Sequence, residues 1–465
     1  MDMIAGLLVC VGLWILGWAL GAPAIVGLIG ALPFGSTAIA ALGSFTVPVF
    51  FAQASVLLAV TAAHRNSWRD LVAVLRGQPL VQLVCGIVAY SVATAFINPR
   101  LFAHMTIVFV PIDFEIVDMP LRPVPGNINR SMYLILDCLV FLAICIQLRR
   151  GRTGEIRKGL LAFAAINAAL GLIDIFGKLA GQGDLLAPIR TASYNMLSNQ
   201  TAGSFFRIMG GFPEPSAYAA AGALPALGFT LMDWRTTKSW FSLTLALVLV
   251  MLLIFSTSST AYAGLGIVLG IYGISVGISV LRGRVFVRHL ILFAFGWIAL
   301  TVLLALYLYD ERSLDPAVKM LLNSTVYKVD SASGIERGMW NAQSIQNFFD
   351  TSGVGVGLGS TRSSSWPISV LAQLGVVGII CFTVAVATLV AGLLRLQDLG
   401  SGALAASASA AALAWIAGSS FGGSNADPNM IFFLALATVS STLSWRKGQY
   451  EPSGRSLSRT TSGAN

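Results

Sequence analysis

Charged residues are scarce in this chain of 465 residues, and that scarcity argues against a soluble globular fold. Only 11% of the residues are charged and 56% are apolar, whereas soluble domains carry about 25% charged residues. Cysteine and histidine are also few, at five and three residues, and their spacing matches neither a metal site nor a disulfide framework. The basic residues form no patch with interleaved aromatic side chains. We therefore expect no metal, no cofactor and no nucleic-acid partner.

Apolar runs long enough to cross a bilayer, which takes about 20 helical residues, recur along the whole chain. We predict about 12 transmembrane helices, within a range of about 11–13, in a lipid bilayer. Segment 3–31 is interrupted by Gly21, Pro23 and Pro33, so it forms one long helix or two short ones. The other predicted spans are 47–63, 79–97, 130–147, 158–177, 215–232, 240–255, 261–280, 289–308, 367–394, 402–420 and 429–445. The sequence thus predicts an all-α polytopic membrane protein.

The distribution of basic residues predicts the side of the membrane on which each loop lies. One set of segments holds 18 of the 29 Lys and Arg residues, and cytoplasmic loops are the ones enriched in these residues. We therefore place this set and both termini in the cytoplasm, with one transmembrane domain over 1–445 and a disordered tail over 446–465. The net charge of +9 also favours contact with anionic lipid headgroups. The basic segments are 64–78, 148–158, 233–239, 281–288, position 395 and the tail.

Three long loops, 98–129, 178–214 and 309–366, are then external. The second loop ends in Arg-Ile-Met-Gly-Gly-Phe-Pro-Glu-Pro-Ser over 207–216, directly before an apolar run. Proline is tolerated in the first turn of a helix, so we predict a rigid turn with Glu214 near the helix N-terminus. A simple cap is one interpretation of this acid. A general base is the other.

The third loop contains a glycine run, Gly-Val-Gly-Val-Gly-Leu-Gly over 353–359. Its spacing is neither GxGxxG nor a Walker motif, so it does not predict nucleotide binding. It forms either a flexible turn or a concave anion site in which backbone N–H groups act together with Arg362. A further turn, 256–260, consists of Ser and Thr, which either cap a helix or line a polar cleft.

Two acids, Asp137 and Asp174, lie within predicted spans, where a carboxylate is a functional hypothesis by default. Asp174 precedes Lys178 by four residues, a spacing that allows an ion pair along a helix. No comparable partner is evident for Asp137.

Three segments, in order, resemble the O-antigen ligase and polymerase superfamily of bacterial cell-envelope glycosyltransferases. They are the Glu-Pro-Ser turn in 210–219, the hydroxyl-rich turn 256–260 ahead of Gly264, and a long third segment. The third runs from Arg337 and Trp340 through the glycine run to the Leu-Gly-x-x-Gly helix of 371–378. The resemblance covers roughly 190–390 and implies the GT-C-like membrane architecture of that superfamily.

The resemblance implies a polymerase of exopolysaccharide or O-antigen repeats at the periplasmic face of the bacterial inner membrane. Its substrate would be an undecaprenyl-diphosphate-linked oligosaccharide, and its partners would include a chain-length regulator or export proteins. The ligase branch commonly has a histidine after the glycine-rich turn, where this chain has Arg362-Ser-Ser-Ser-Trp366, so the polymerase is favoured. An O-antigen ligase acting on lipid A-core is the alternative. A flippase of the same lipid-linked oligosaccharide, or a scaffold subunit, would be a protein of another class.

The implied leaving group, a lipid diphosphate, needs cationic donors as the glycosidic bond breaks, and arginine is well suited to phosphate. The acceptor hydroxyl needs a base. The catalytic residues that we expect are Glu214, Arg337 and Arg207. The substrate-binding residues that we expect are Arg190, Arg362, Ser216, Ser258, Trp340, Gly355 and Gly357.

Overall fold

A computed structural model of the chain describes residues 2–42, 45–112, 115–192, 201–202, 205–281, 283, 301, 322, 327–328, 330–396 and 402–446. The predicted span 289–308 and the predicted tail 446–465 fall outside these residues, except for Thr301 and Arg446.

The described chain consists mostly of helices, with a few short strands. The helices are α1 Asp2–Ala19, α2 Pro23–Ala31, α3 Val49–Ala62, α4 Ser67–Gly77, α5 Pro79–Leu101, α6 Pro125–Arg149, α7 Thr153–Leu179, a continuous run α8 (Pro215–Ala217, a π-helical turn Tyr218–Ala223 and Leu224–Thr237), α9 Trp240–Phe255, α10 Ser259–Leu281, α11 Ala332–Asp350, α12 Trp366–Leu396, α13 Ala403–Ser419 and α14 Met430–Arg446. A short 3₁₀ turn spans Ala187–Ile189. Antiparallel hairpins pair β1 Ala38–Leu42 with β2 Phe45–Pro48, β3 Ile107–Ile112 with β4 Glu115–Pro120, and β5 Thr201–Ala202 with β6 Phe205–Phe206.

Five of the described helices are long and apolar enough to cross a membrane, judged by length and composition: α5, α6, α7, the part of α10 over Ser259–Ile278, and α12. Shorter apolar helices are Ile4–Ala19, Val49–Ala62, Trp240–Phe255, Ala403–Ser419 and Met430–Ser444. This composition agrees with an all-α membrane protein. The number of 12 spans and the GT-C-like architecture stay predictions.

Contacts among the described helices define two ends of the bundle. We call the end that holds the first turns of α6, α8, α10 and α12 the site end. The other end, which we call the basic end, holds the segments 64–78, 148–158 and 233–239. An aromatic cluster fixes the start of α12 at the site end: the Trp366 ring centroid lies 5.4 Å from Phe382, 5.2 Å from Trp415 and 6.1 Å from Phe432.

Contacts at both ends of the first helix show its direction in the bundle. A Cβ added to Gly6 would lie 2.0 Å from the carbonyl oxygen of Ala38 at the site end. Beyond the other end of α1, Lys158 Nζ donates to the Leu20 carbonyl at 2.7 Å. Helix α1 therefore runs from the site end toward the basic end, and the turn at Gly21, whose φ is +70°, leads into a second helix that starts at Pro23. The side of the membrane on which each terminus lies stays a prediction.

All three predicted external loops contain regular structure, and two of them pack together. Hairpin β3–β4 lies within 98–129, and helix α11 lies within 309–366. The hairpin and the glycine run share a small apolar core of Val108, Val110, Leu121, Val124 and Val356. Helix α11 packs against this hairpin, where Gln343 Nε2 donates to the Ile107 carbonyl at 3.0 Å. The two loops thus form one body at the site end.

Candidate active site

The Glu-Pro-Ser turn begins α8 at the site end. Glu214 occupies the N-cap position with an extended backbone, and its side chain makes no capping hydrogen bond to the helix. Instead, Ser216 Oγ donates to Glu214 Oε1 at 2.6 Å. The turn is therefore a helix start, as predicted, but the carboxylate is held by a neighbouring hydroxyl rather than by backbone amides.

The buried carboxylate of Asp174 accepts hydrogen bonds from the backbone that precedes this turn. Asp174 Oδ2 accepts hydrogen bonds from the backbone N–H groups of Met209 at 2.7 Å and Gly210 at 3.1 Å. The predicted ion pair with Lys178 is confirmed at 3.0 Å, and both side chains are almost completely buried. Lys178 Nζ also donates to the Arg207 carbonyl at 2.7 Å. The Asp174–Lys178 ion pair thus fixes the backbone that carries Arg207 and leads to Glu214.

Arg190 belongs to the same buried network. Its guanidinium lies 3.4 Å from Asp174 and 2.5 Å from Asp184, and it donates to the Gly210 carbonyl at 2.6 Å and 3.2 Å. Its side chain is only 2% exposed. These contacts favour a role in holding the turn over the predicted role in binding substrate.

Directly after the turn, α8 passes through the π-helical segment Tyr218–Ala223. Pro225 lacks the N–H that an α-helix would supply to the carbonyl four residues earlier, which accounts for the local widening. Tyr218 is completely buried and faces Gly171, where an added Cβ would lie 2.5 Å from the tyrosine hydroxyl. Single π turns of this kind often occur at functional sites.

The hydroxyl-rich turn 256–260 lies beside the Glu-Pro-Ser turn. A Cβ added to Gly422 would be 3.3 Å from Thr260 Oγ1 and 4.0 Å from Ser216 Cβ, so three segments meet there. Ser258 is buried, and its carbonyl accepts the N–H of Tyr262 at 3.0 Å in the first turn of α10. Ser258 therefore lies at the start of α10, two residues before Thr260, which lies beside the Glu-Pro-Ser turn.

Basic side chains gather around Glu214. Burial lowers the pKa of Arg207, the carboxylate of Glu214 raises it, and the charge of Arg337 lowers it again. Burial also lowers the pKa of Lys328, as do the charges of Arg337 and Arg207. Arg207 is therefore close enough to feel the charges of both Glu214 and Arg337, and Lys328 is close enough to feel those of Arg337 and Arg207.

Arg362 joins this group from the segment after the glycine run. Its pKa is lowered chiefly by burial; Glu214 raises it, and the charges of Arg130 and Arg337 lower it. The guanidinium carbon lies 5.0 Å from the centroid of the Trp340 ring, a cation–π contact. Its backbone N–H donates to the Phe109 carbonyl of β3 at 2.8 Å. Trp340 thus orients a cation toward the site.

Arg337 does not form the local ion pairs that would make it an ordinary surface residue. Within the part of the chain that the structure describes, no ion pair joins it to Glu336 or Asp330. It lies one turn of α11 before Trp340, on the same face of the helix.

Sequence reasoning missed three members of this cluster. Arg130 at the start of α6 forms an ion pair with Asp427 at 3.3 Å, and Lys328 precedes α11. A usable signal for Arg130 was its position as a basic residue at the external edge of a predicted span, where such residues are few. Asp427 gave no signal, because it lies in a short polar turn far along the chain.

Helix α12 is broken rather than continuous. Gly375 has φ 61° and ψ −155°, which leaves backbone groups on both sides of the break without helical partners. The glycine run supplies those partners. The hydrogen bonds are Val356 N–H to Ala372 O at 2.8 Å, Gly357 N–H to Gln373 O at 2.9 Å and Val376 N–H to Gly353 O at 3.0 Å.

The glycines in this run are required by backbone conformation and by close packing. Gly353, Gly355, Gly357 and Gly359 have φ values of +81°, +91°, +95° and +77°. A Cβ on Gly357 would lie 2.5 Å from the Thr94 carbonyl oxygen. The N–H groups of Gly355 and Gly357 both donate within the protein, the former to Thr351 Oγ1 at 3.0 Å. The anion site expected from these two amides is therefore not formed; the run is a rigid connector for the broken helix.

The site thus brings together Glu214, Ser216, Arg207, Arg337, Arg362 and Trp340, with Ser258 beside them. No protein-family model matches the chain, and no curated protein matches it.

Proposed function

We propose that the protein is a membrane glycosyltransferase that polymerises lipid-linked oligosaccharide repeats, using a polyprenyl-diphosphate-linked donor. The observation that carries the proposal is a cluster in which Glu214, held by Ser216, lies near Arg207 and near Arg362, which stacks on Trp340. The charge of Arg337 acts on both of these arginines. The cluster lies at one end of a bundle of apolar helices, where a lipid-borne anionic substrate would arrive. The order of the motifs that resemble the O-antigen ligase and polymerase superfamily gives further support.

The reaction assigns complementary tasks to the acid and the cations. An acceptor hydroxyl attacks the anomeric carbon of the donor, a new C–O bond forms, and the bond to the diphosphate breaks. Glu214 takes the hydroxyl proton, and the lipid diphosphate leaves with the bonding electron pair. The arginines stabilise the charge that develops on this leaving group. Ser216, which donates to Glu214 Oε1, orients the carboxylate.

The same residues would serve a ligase that transfers finished glycan to lipid A-core, so the acceptor decides between these two activities. The second candidate function belongs to another class of protein, the transporters: it is a flippase for the lipid-linked oligosaccharide. One observation favours it, since discontinuous helices such as α12 are common in transporters. The backbone ends at Gly375 are, however, already paired with the glycine run.

The experiment is reconstitution of the purified protein in liposomes with undecaprenyl-diphosphate-linked repeat units and no nucleotide. We expect a ladder of polymer lengths. Transfer of glycan only to added lipid A-core would identify a ligase, and movement of substrate across the bilayer without new bonds would identify a flippase. The matched variants are Arg337→Ala in the cluster and Arg100→Ala, an exposed arginine outside it. Ladder growth that survives in Arg337→Ala would contradict the proposed site.

A further inference from the structure

We propose that helix α4 and the turn before it form a binding surface for the headgroups of anionic phospholipids. This surface, which we call the α4 surface, consists of Arg65, Trp68, Arg69 and Arg76. It lies at the basic end, opposite the candidate active site, and the proposal does not depend on the proposed enzyme activity.

The position of α4 places it at a membrane boundary. It connects the apolar helix α3 to α5, and α5 is one of the helices long and apolar enough to cross a bilayer. Because α4 ends directly before Pro79 begins α5, it lies where α5 leaves the hydrocarbon region. A helix at that depth is at the level of lipid headgroups.

Packing fixes which face of α4 is turned outward. Val74 is completely buried in the main core, and Leu71 and Leu75 pack against that core. On the flank, Asp70 pairs with Arg149 at 3.3 Å and with Arg150 at 2.9 Å. The apolar side of α4 therefore packs against the protein core. The ion pairs of Asp70 fix the rotation of the helix about its axis.

The outward face carries the α4 surface. Arg65, Arg69 and Arg76 are all exposed, and Trp68 is 74% exposed beside them. A spacing of seven residues places Arg69 and Arg76 on one side of α4, and Arg65 lies in the turn directly before the helix. Among the described residues, none of the three forms an ion pair or a side-chain hydrogen bond.

These chemical groups suit a phosphodiester headgroup. Arginine presents forked donors that match phosphate oxygens, and it stays charged at every physiological pH. Tryptophan prefers the boundary between headgroups and acyl chains. A basic surface next to a membrane attracts acidic lipid in proportion to its number of Lys and Arg residues. An anionic phospholipid therefore fits the α4 surface better than a zwitterionic one.

The test measures lipid retention by native mass spectrometry on the full-length protein in mixed micelles that contain either phosphatidylglycerol or phosphatidylcholine. We expect the wild type to retain phosphatidylglycerol selectively. Arg65→Gln combined with Arg69→Gln should weaken that retention about tenfold. The matched control, Arg100→Gln combined with Arg122→Gln, removes two exposed arginines near the opposite end of α5 and should leave retention unchanged.

Equal retention in the wild type and both double variants would overturn the proposal, and so would an equal loss in both variants. Soluble polyglutamate that displaces phosphatidylglycerol from the wild type at equal charge concentration would indicate an acidic protein partner instead of lipid. Thermal melts of each variant in phosphatidylcholine micelles show whether the fold is kept. Trp68→Ala removes no charge. We expect it to lower the retention of phosphatidylglycerol more at high salt than at low salt.

Discussion

The Asp174 carboxylate accepts the backbone N–H of Met209 at 2.7 Å, across 35 residues of sequence and from inside a membrane-length helix. The same acid pairs with Lys178 and Arg190, which in turn hold the carbonyls of Arg207 and Gly210. One buried charge network therefore determines the backbone position of the turn that carries the candidate base and a candidate cation.

We predict that Asp174→Asn lowers both stability and turnover. Removing one partner from a buried ion pair lowers the free energy of unfolding by about 3–5 kcal/mol, because the remaining cations lose their counter-charge. In addition, the turn that carries Arg207 loses its anchor, so turnover per folded molecule should fall. The measurements are a thermal melt and the polymerisation rate normalised to folded protein.

The control for this variant is Asp233→Asn. Asp233 is also buried and pairs with Arg157 through contacts of 2.7 Å and 2.8 Å, but it lies at the basic end. We expect it to lose stability while the folded fraction keeps its turnover. Identical turnover per folded molecule in the two variants would show that Asp174 is only structural.

A second prediction concerns Glu214 itself. Glu214→Gln keeps the acceptor for Ser216 Oγ and nearly the same shape, but its amide cannot take a proton. Loss of a general base typically lowers turnover by about 10²–10⁴-fold. We therefore expect a loss of that order with little change in melting temperature. Ser216→Ala, which removes only the 2.6 Å hydrogen bond, should cause a smaller loss. Wild-type turnover in Glu214→Gln would assign the base to another group.

The sequence predicted local features of this site better than distant ones. The Asp174–Lys178 pair follows from a spacing of four residues, and the helix start at Pro215 follows from proline chemistry. Arg190 and the Met209 amide could not be assigned to the same acid, because they reach it only through tertiary folding. Asp427 was missed for the same reason.

The broken helix shows a different limit of the sequence. The residues around Gly375 are mostly apolar, so hydropathy predicts one continuous span over 367–394. The break becomes evident only when the glycine run supplies hydrogen bonds to both of its sides. Helix α11 was missed because too few of its residues are apolar, and it is stabilised by packing on β3 and α12.

A third prediction follows from this connector. Gly375→Ala should destabilise the protein by about 1–3 kcal/mol, because the residue has φ +61° and an added Cβ would lie 2.2 Å from the Gly353 carbonyl oxygen. The control is Gly270→Ala in α10, where a Cβ meets nothing within 4 Å. Thermal melts in the same detergent compare the two variants. Equal melting temperatures would contradict the assigned backbone strain.

A fourth prediction separates diphosphate binding from turnover. If the cationic cluster receives a lipid diphosphate, Arg207→Ala or Arg337→Ala should weaken the binding of undecaprenyl diphosphate about tenfold, which is about 1.4 kcal/mol. The binding of undecaprenol, which carries no phosphate, should not change in either variant. Arg362→Lys should weaken binding too, because lysine keeps the charge but loses the forked donors and the stacking on Trp340. Titration of the purified protein with each lipid measures these affinities. A similar loss for both lipids would indicate a misfolded site rather than a diphosphate site, and no loss for either would remove the cluster from substrate binding.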